Sequence, residues 1–131
     1  MTQATGNDHP RVIVTINQAI ELVENDQALA AIQLLVNLVA EFPKSSSVHG
    51  YLGWYLSGNG KHEDAIAHTQ EAVRLSPNSE LASLIHFHAL WDADQQVEAL
   101  GEMRRFLKIR PLEEYANILR EWTPRMKPDE K

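Results

Sequence analysis

Apolar residues recur at three- and four-residue intervals along most of the chain, and the recurrence breaks off at regular places. Leu52, Tyr55 and Leu56 stand at helical intervals before Ser57-Gly58-Asn59-Gly60, a run that ends a helix. Ala65, Ile66, Thr69, Ala72, Val73 and Leu75 then form a second stripe, which stops at Ser76-Pro77-Asn78. Two helices of ~13 residues, each about 20 Å long at 1.5 Å per residue, make one hairpin. After Pro111 the helical spacing continues through Leu112, Tyr115, Leu119 and Trp122, while Glu113, Glu114, Asn117, Arg120 and Glu121 face elsewhere.

The breaks are periodic. Pro43, Pro77 and Pro111 are spaced by 34 residues, and a shift of that length aligns further columns. Ala31, Ala65 and Ala99 coincide, followed by Ile32, Ile66 and Leu100. Leu22, Leu56 and Leu90 coincide, as do Val39, Val73 and Leu107. A turn-favouring residue recurs at Asp26, Gly60 and Asp94, each four residues after the aligned leucine. The alignment needs no insertion. It predicts an all-α fold of about seven helices, near 12–24, 28–41, 45–57, 62–75, 79–92, 96–109 and 112–122. The prolines cannot continue the preceding helix, so they set the turn to the next unit.

The segment YLGWYLSGNGKHEDAIAHTQEAVRLSPNS resembles a tetratricopeptide repeat through Leu52, Gly53, Gly60, Ala65, Ile66, Ala72 and Pro77. The resemblance implies a right-handed superhelical array of helical hairpins, an α-solenoid. Its repeats fall at about 12–45, 46–79 and 80–113, with a capping helix at 112–122. Such arrays need a terminal helix that covers the last apolar face. Residues 12–122 then form a single domain, and the polar, proline-containing ends 1–11 and 123–131 are expected to be disordered tails. Alanines 31, 65 and 99, with Ala19 and Gly53, let paired helices approach closely. Phe87 stands in the register of Ala19 and Gly53, where its bulk must widen the third hairpin or fill a gap.

The resemblance also implies an inner groove, lined by the first helix of each hairpin, that holds an extended or helical peptide. Those registers carry Ile16, Gly50 and Leu84, then Ile20, Trp54 and His88, with Val23, Ser57 and Trp91 one turn further and Tyr51 beside them. The expected peptide-binding groove is therefore apolar and aromatic, formed by Ile16, Ile20, Tyr51, Trp54, Leu84, His88 and Trp91. The family's best-known ligand mode clamps terminal carboxylates with Lys, Asn and Arg at these registers. Ile, Gly, Leu, Trp and His stand there instead, so acidic chaperone tails are not the expected ligand.

Charge and composition narrow the chemistry further. The 131 residues include 18 acidic against 12 Lys and Arg side chains, and no cysteine. Neither half offers the broad positive field of a nucleic-acid binder; the local run Arg104, Arg105, Lys108, Arg110 is explained by a helix C-terminus. No apolar run approaches the ~20 residues of a membrane helix, and residues 1–10 lack a signal-peptide pattern, so a cytoplasmic location without membrane contact is expected. His9, His49, His62, His68, His86 and His88 show no three- or four-residue ligand spacing. Ser45-Ser46-Ser47 suit a helix N-terminus, and no nucleophile elbow or phosphate loop occurs. No enzyme activity, metal or cofactor is expected. The reading is a non-enzymatic module for a protein or peptide partner, with a secretion-type chaperone or a self-associating, homo-oligomeric scaffold as alternatives.

Overall fold

The computed structural model describes residues 5–126, with side chains through Glu121. Among the described residues seven α-helices follow one another: α1 Pro10–Glu24, α2 Ala28–Glu41, α3 Ser46–Gly58, α4 His62–Leu75, α5 Glu80–Asp92, α6 Gln96–Leu107 and α7 Glu113–Met126. No strand occurs among the described residues. Consecutive helices pack as the hairpins α1–α2, α3–α4 and α5–α6, and α3 also packs against both α1 and α5. Helices α1, α3 and α5 thereby share a layer, as a stacked hairpin array requires.

The period is written into the backbone. Asp26, Gly60 and Asp94 all adopt left-handed φ values, 63°, 82° and 64°. At each, the following amide reaches back over the helix end: Gln27 to the Leu22 carbonyl at 2.8 Å, Lys61 to Leu56 at 2.9 Å and Gln95 to Leu90 at 2.9 Å. The aligned leucines are thus the last-turn acceptors of one repeated helix stop, and the aligned turn residues are its left-handed hinge. Helix starts repeat as well. The Ser45 hydroxyl accepts from the Val48 amide at 3.2 Å, and Ser79, 34 positions on, accepts from Ala82 at 3.1 Å.

Close approach is greatest in the middle hairpin. Ala65 is fully buried, and a Cβ placed on Gly53 would lie 2.4 Å from Thr69 Cγ2 and 2.9 Å from the Ala65 carbonyl oxygen. In the third hairpin Phe87 fills space instead. It is buried and meets Tyr115 of α7 at 5.6 Å between ring centroids. Tyr115 has no exposed surface and joins Phe106, Met103 and Leu100 in the C-terminal core cluster. Its phenol shares a 2.7 Å hydrogen bond with the Ser83 hydroxyl, which donates at 2.7 Å to the buried Glu102 carboxylate. Arg105 satisfies the same carboxylate with two nitrogens, at 2.7 and 2.9 Å. A buried charge is tolerable with such a partner and that many donors.

The ends depart from the sequence reading. Residues 5–11 belong to no disordered tail: α1 begins at Pro10, at its preferred first position, and the His9 ring accepts from the Arg11 amide at 3.1 Å. The Asn7 side chain caps α3, accepting from the Ser45 hydroxyl at 2.5 Å and the Ser47 amide at 3.2 Å. Arg11 pairs with Glu41 across the first hairpin. At the other end α7 runs to Met126 rather than stopping at 122. The remainder of both expected tails, 1–4 and 127–131, lies outside the described residues, as does the side chain of Trp122.

Two histidines make stability depend on pH. His49 Nε2 donates to the Pro43 carbonyl at 2.8 Å, which leaves its Nδ1 as the acceptor for His68 Nδ1 at 3.1 Å. Thr69 gives its proton to the Ile66 carbonyl, so His86 Nδ1 donates to the Thr69 oxygen at 2.7 Å. Burial, and then the neighbouring His49, lower the pKa of His68; Asp64 and Glu71 oppose them. Burial and then Arg105 lower that of His86, against Glu102. Both therefore fold as neutral rings, and the unfolded chain takes up protons first as pH falls. Stability from these sites is complete above the unfolded value of 6.5 and is lost as pH drops below it. The melting temperature is expected to fall between about pH 7.5 and pH 5.5, and to fall less in the His68→Gln/His86→Gln variant. Equal slopes in the two proteins contradict this assignment.

Candidate peptide-binding site

The layer of α1, α3 and α5 carries the expected groove residues, but they do not form one uniform surface. Ile16 is buried at 8% exposure within the N-terminal core and offers nothing to a ligand. Ile20 is half-buried beside it. Tyr51 is half-buried too, and its ring lies 5.7 Å from that of Trp54. Trp54 also stacks on Tyr55 at 5.7 Å, yet keeps 48% of its surface exposed, an unusual state for so large an apolar side chain.

In the third hairpin the same registers face the chain's own last helix. Leu84 and Trp91 pack against the C-terminal core, and Trp91 lies 5.6 Å from Phe87. His88 is exposed, with Nε2 3.8 Å from a Glu114 carboxylate oxygen of α7. Tyr115 inserts between Phe87 and Phe106, so α7 packs on the C-terminal core built by α5 and α6. Exposure is similar in the two halves, since Trp54 and His88 are exposed while Ile20, Tyr51, Leu84 and Trp91 are half-buried. What sets the first half apart is its shape.

That half contains a cavity of about 380 Å³ between the ends of α1 and α3. Its walls are Ile20, Val23 and Glu24 of α1, Ala28 at the start of α2, and Trp54, Tyr55, Gly58 and Asn59 around the end of α3. The volume falls in the range of small-ligand and anchor-residue sites, roughly 300–1,000 Å³. A Cβ added to Gly58, a wall residue, would meet nothing within 4 Å. Burial, followed by the nearby Tyr51 and Glu24 groups, pushes the Tyr55 phenol up to about 12, so it stays protonated near neutrality.

No family model and no curated protein matches the chain. The site is read from its own geometry.

Glu24, Tyr55, Ala28, Gly58 and Asn59 escaped the sequence reading. It followed apolar registers along first helices, whereas the cavity is closed by helix ends. Two further clusters have partners within the fold. The neighbouring rings of His49 and His68 are brought together from different helices, and no third ligand completes a metal site among the described residues. The basic run is partly consumed: Arg105 holds Glu102 and the Pro77 carbonyl, while Arg110 holds Glu80 at 3.0 Å and the Asn78 carbonyl at 2.7 Å. These pairs tie α6 and the turn after it to the start of α5.

Proposed function

We propose that this chain is a non-enzymatic, tetratricopeptide-type interaction module that binds a partner polypeptide on the face formed by α1 and α3. The observation that carries the reading is Trp54, which stays half-exposed beside a preformed apolar cavity although two tyrosines could have covered it. Exposed tryptophan at a concave, preorganised site is characteristic of interface anchors. A second support is the repeat pattern itself, because stacked hairpins generate extended surfaces suited to a chain rather than a small metabolite. In this reading Ile20 and Val23 pack against the aliphatic parts of the partner's side chains, and Tyr51 and Tyr55 orient the ligand.

The test uses a partner isolated from the native cell and titrated against purified protein. Trp54→Ala is expected to weaken binding at least thirtyfold, as loss of an anchor worth ~2 kcal/mol implies, with helix content unchanged. Val97→Ala, at a side chain 75% exposed on α6, is expected to change nothing. Unaltered affinity in Trp54→Ala contradicts the proposed face.

A further inference from the structure

The cavity beside Trp54 has an electrostatic character that its apolar walls conceal. It lies where α1 and α3 both end, with Val23 and Glu24 from the last turn of one and Gly58 from that of the other. Helix C-termini carry roughly half a negative charge each, and a basic residue in the last turn usually offsets it. Neither last turn has one. Glu24 adds a full negative charge at the wall, and none of the ion pairs among the described residues involves it. The start of α2 at Ala28 opposes this with about half a positive charge, which leaves Glu24 and one helix end unbalanced among the groups that line the cavity. The surroundings agree: residues 1–66 hold 3 Lys and Arg side chains against 7 Asp and Glu.

An apolar, aromatic-walled cavity lined by unbalanced negative groups selects a particular side chain. An aliphatic guest would leave Glu24 and the helix ends uncompensated, and an anionic one is repelled. A lysine could neutralise the charge, but its compact ammonium is strongly hydrated. A guanidinium is planar, more weakly hydrated, stacks on indole faces and forks onto a carboxylate. We infer that the Ile20–Glu24–Trp54 cavity is a receptor for an arginine side chain of the partner polypeptide, its guanidinium laid against Trp54 and paired with Glu24. The inference rests on the proposed binding face and specifies what that face recognises.

The isolated side chain provides the test. The ¹⁵N-labelled full chain is titrated with N-acetyl-arginine amide and with N-acetyl-citrulline amide, its uncharged isostere, at low salt. The arginine probe is expected to shift the Trp54 indole and the Gly58 and Asn59 amides saturably, with a dissociation constant on the order of millimolar. Citrulline is expected to bind at least about fivefold more weakly, and Glu24→Gln to remove that difference by weakening arginine alone. Equal binding of the two probes overturns the inference. So do shifts centred elsewhere, or no saturable shift up to about 100 mM, a concentration beyond any useful anchor affinity. If partner capture depends on Trp54 while the probes bind equally, the binding face stands and the arginine receptor falls. If the arginine probe binds as described while the partner ignores Trp54, the cavity stands and the polypeptide-binding reading falls.

Discussion

Removing residues 112–131 is expected to abolish cooperative unfolding and to make the shortened chain aggregate. The last helix is not an appendage. Tyr115 is fully buried, and Leu112, Ile118 and Leu119 pack on the cluster that contains Phe87, Leu100, Met103 and Phe106. Full burial of a side chain the size of Tyr115 contributes roughly 1.5–3 kcal/mol and the three half-buried ones add a fraction of that each, a large share of the ~5–15 kcal/mol that holds a small domain. Deletion also uncovers Met103 and Phe106, both at 0% exposure, as one apolar patch on α6. It removes the phenol that anchors the Ser83–Glu102 chain as well. A milder version is Tyr115→Ala, expected to cost about 3–5 kcal/mol in urea unfolding. A truncated chain that stays monomeric and melts like the intact one contradicts this role for α7.

Two glycines one turn apart on α3 are expected to respond in opposite directions to the same substitution. Gly53→Ala places a methyl group 2.4 Å from Thr69 Cγ2 and 2.9 Å from a backbone oxygen of α4. Thr69 is fully buried and holds His86, so neither it nor the α4 backbone can move aside freely. The hairpin must spread, a loss on the order of 1–3 kcal/mol or more. At Gly50 the nearest atoms would be Ile85 Cδ1 at 3.6 Å and Ala72 Cβ at 3.9 Å, ordinary van der Waals contact. There the gain in helix propensity dominates, and Gly50→Ala is expected to stabilise by about 0.5–1 kcal/mol. Denaturant midpoints of the two variants measure the contrast directly. Equal effects contradict the packing described for α3 and α4.

Much of this architecture was legible because it depends on local chemistry repeated three times. The prolines, the aligned leucines and the turn residues Asp26, Gly60 and Asp94 each act within one helix end, so their spacing reported the helix stops directly. The interior boundaries match closely: 28–41 and 62–75 are the observed α2 and α4. The start of α1 was missed although Pro10 is a common first helical residue, since composition alone marked the segment as a tail. Asn7 could not be assigned, because it caps a helix 39 residues away in sequence. The same limit hid the His49–His68 contact and the Ser83–Glu102–Tyr115 chain, which join separate helices. Of the residues around the cavity, the registers contain Ile20, Val23 and Trp54. They also include Ile16, whose place in the core depends on how α1 turns against α2 and α3. Leu84, His88 and Trp91 follow the same period but lie outside the cavity at the ends of α1 and α3.

The central claim is that a polypeptide binds across the ends of α1 and α3, and chemical-shift mapping tests it most directly. The purified partner is titrated into the ¹⁵N-labelled full chain and the perturbed amides are located. The account predicts a contiguous patch over residues 20–28 and 51–59, with the Trp54 indole among the largest shifts. Perturbations centred on α2, α4 or α6 instead, with the Trp54 indole unmoved, contradict it.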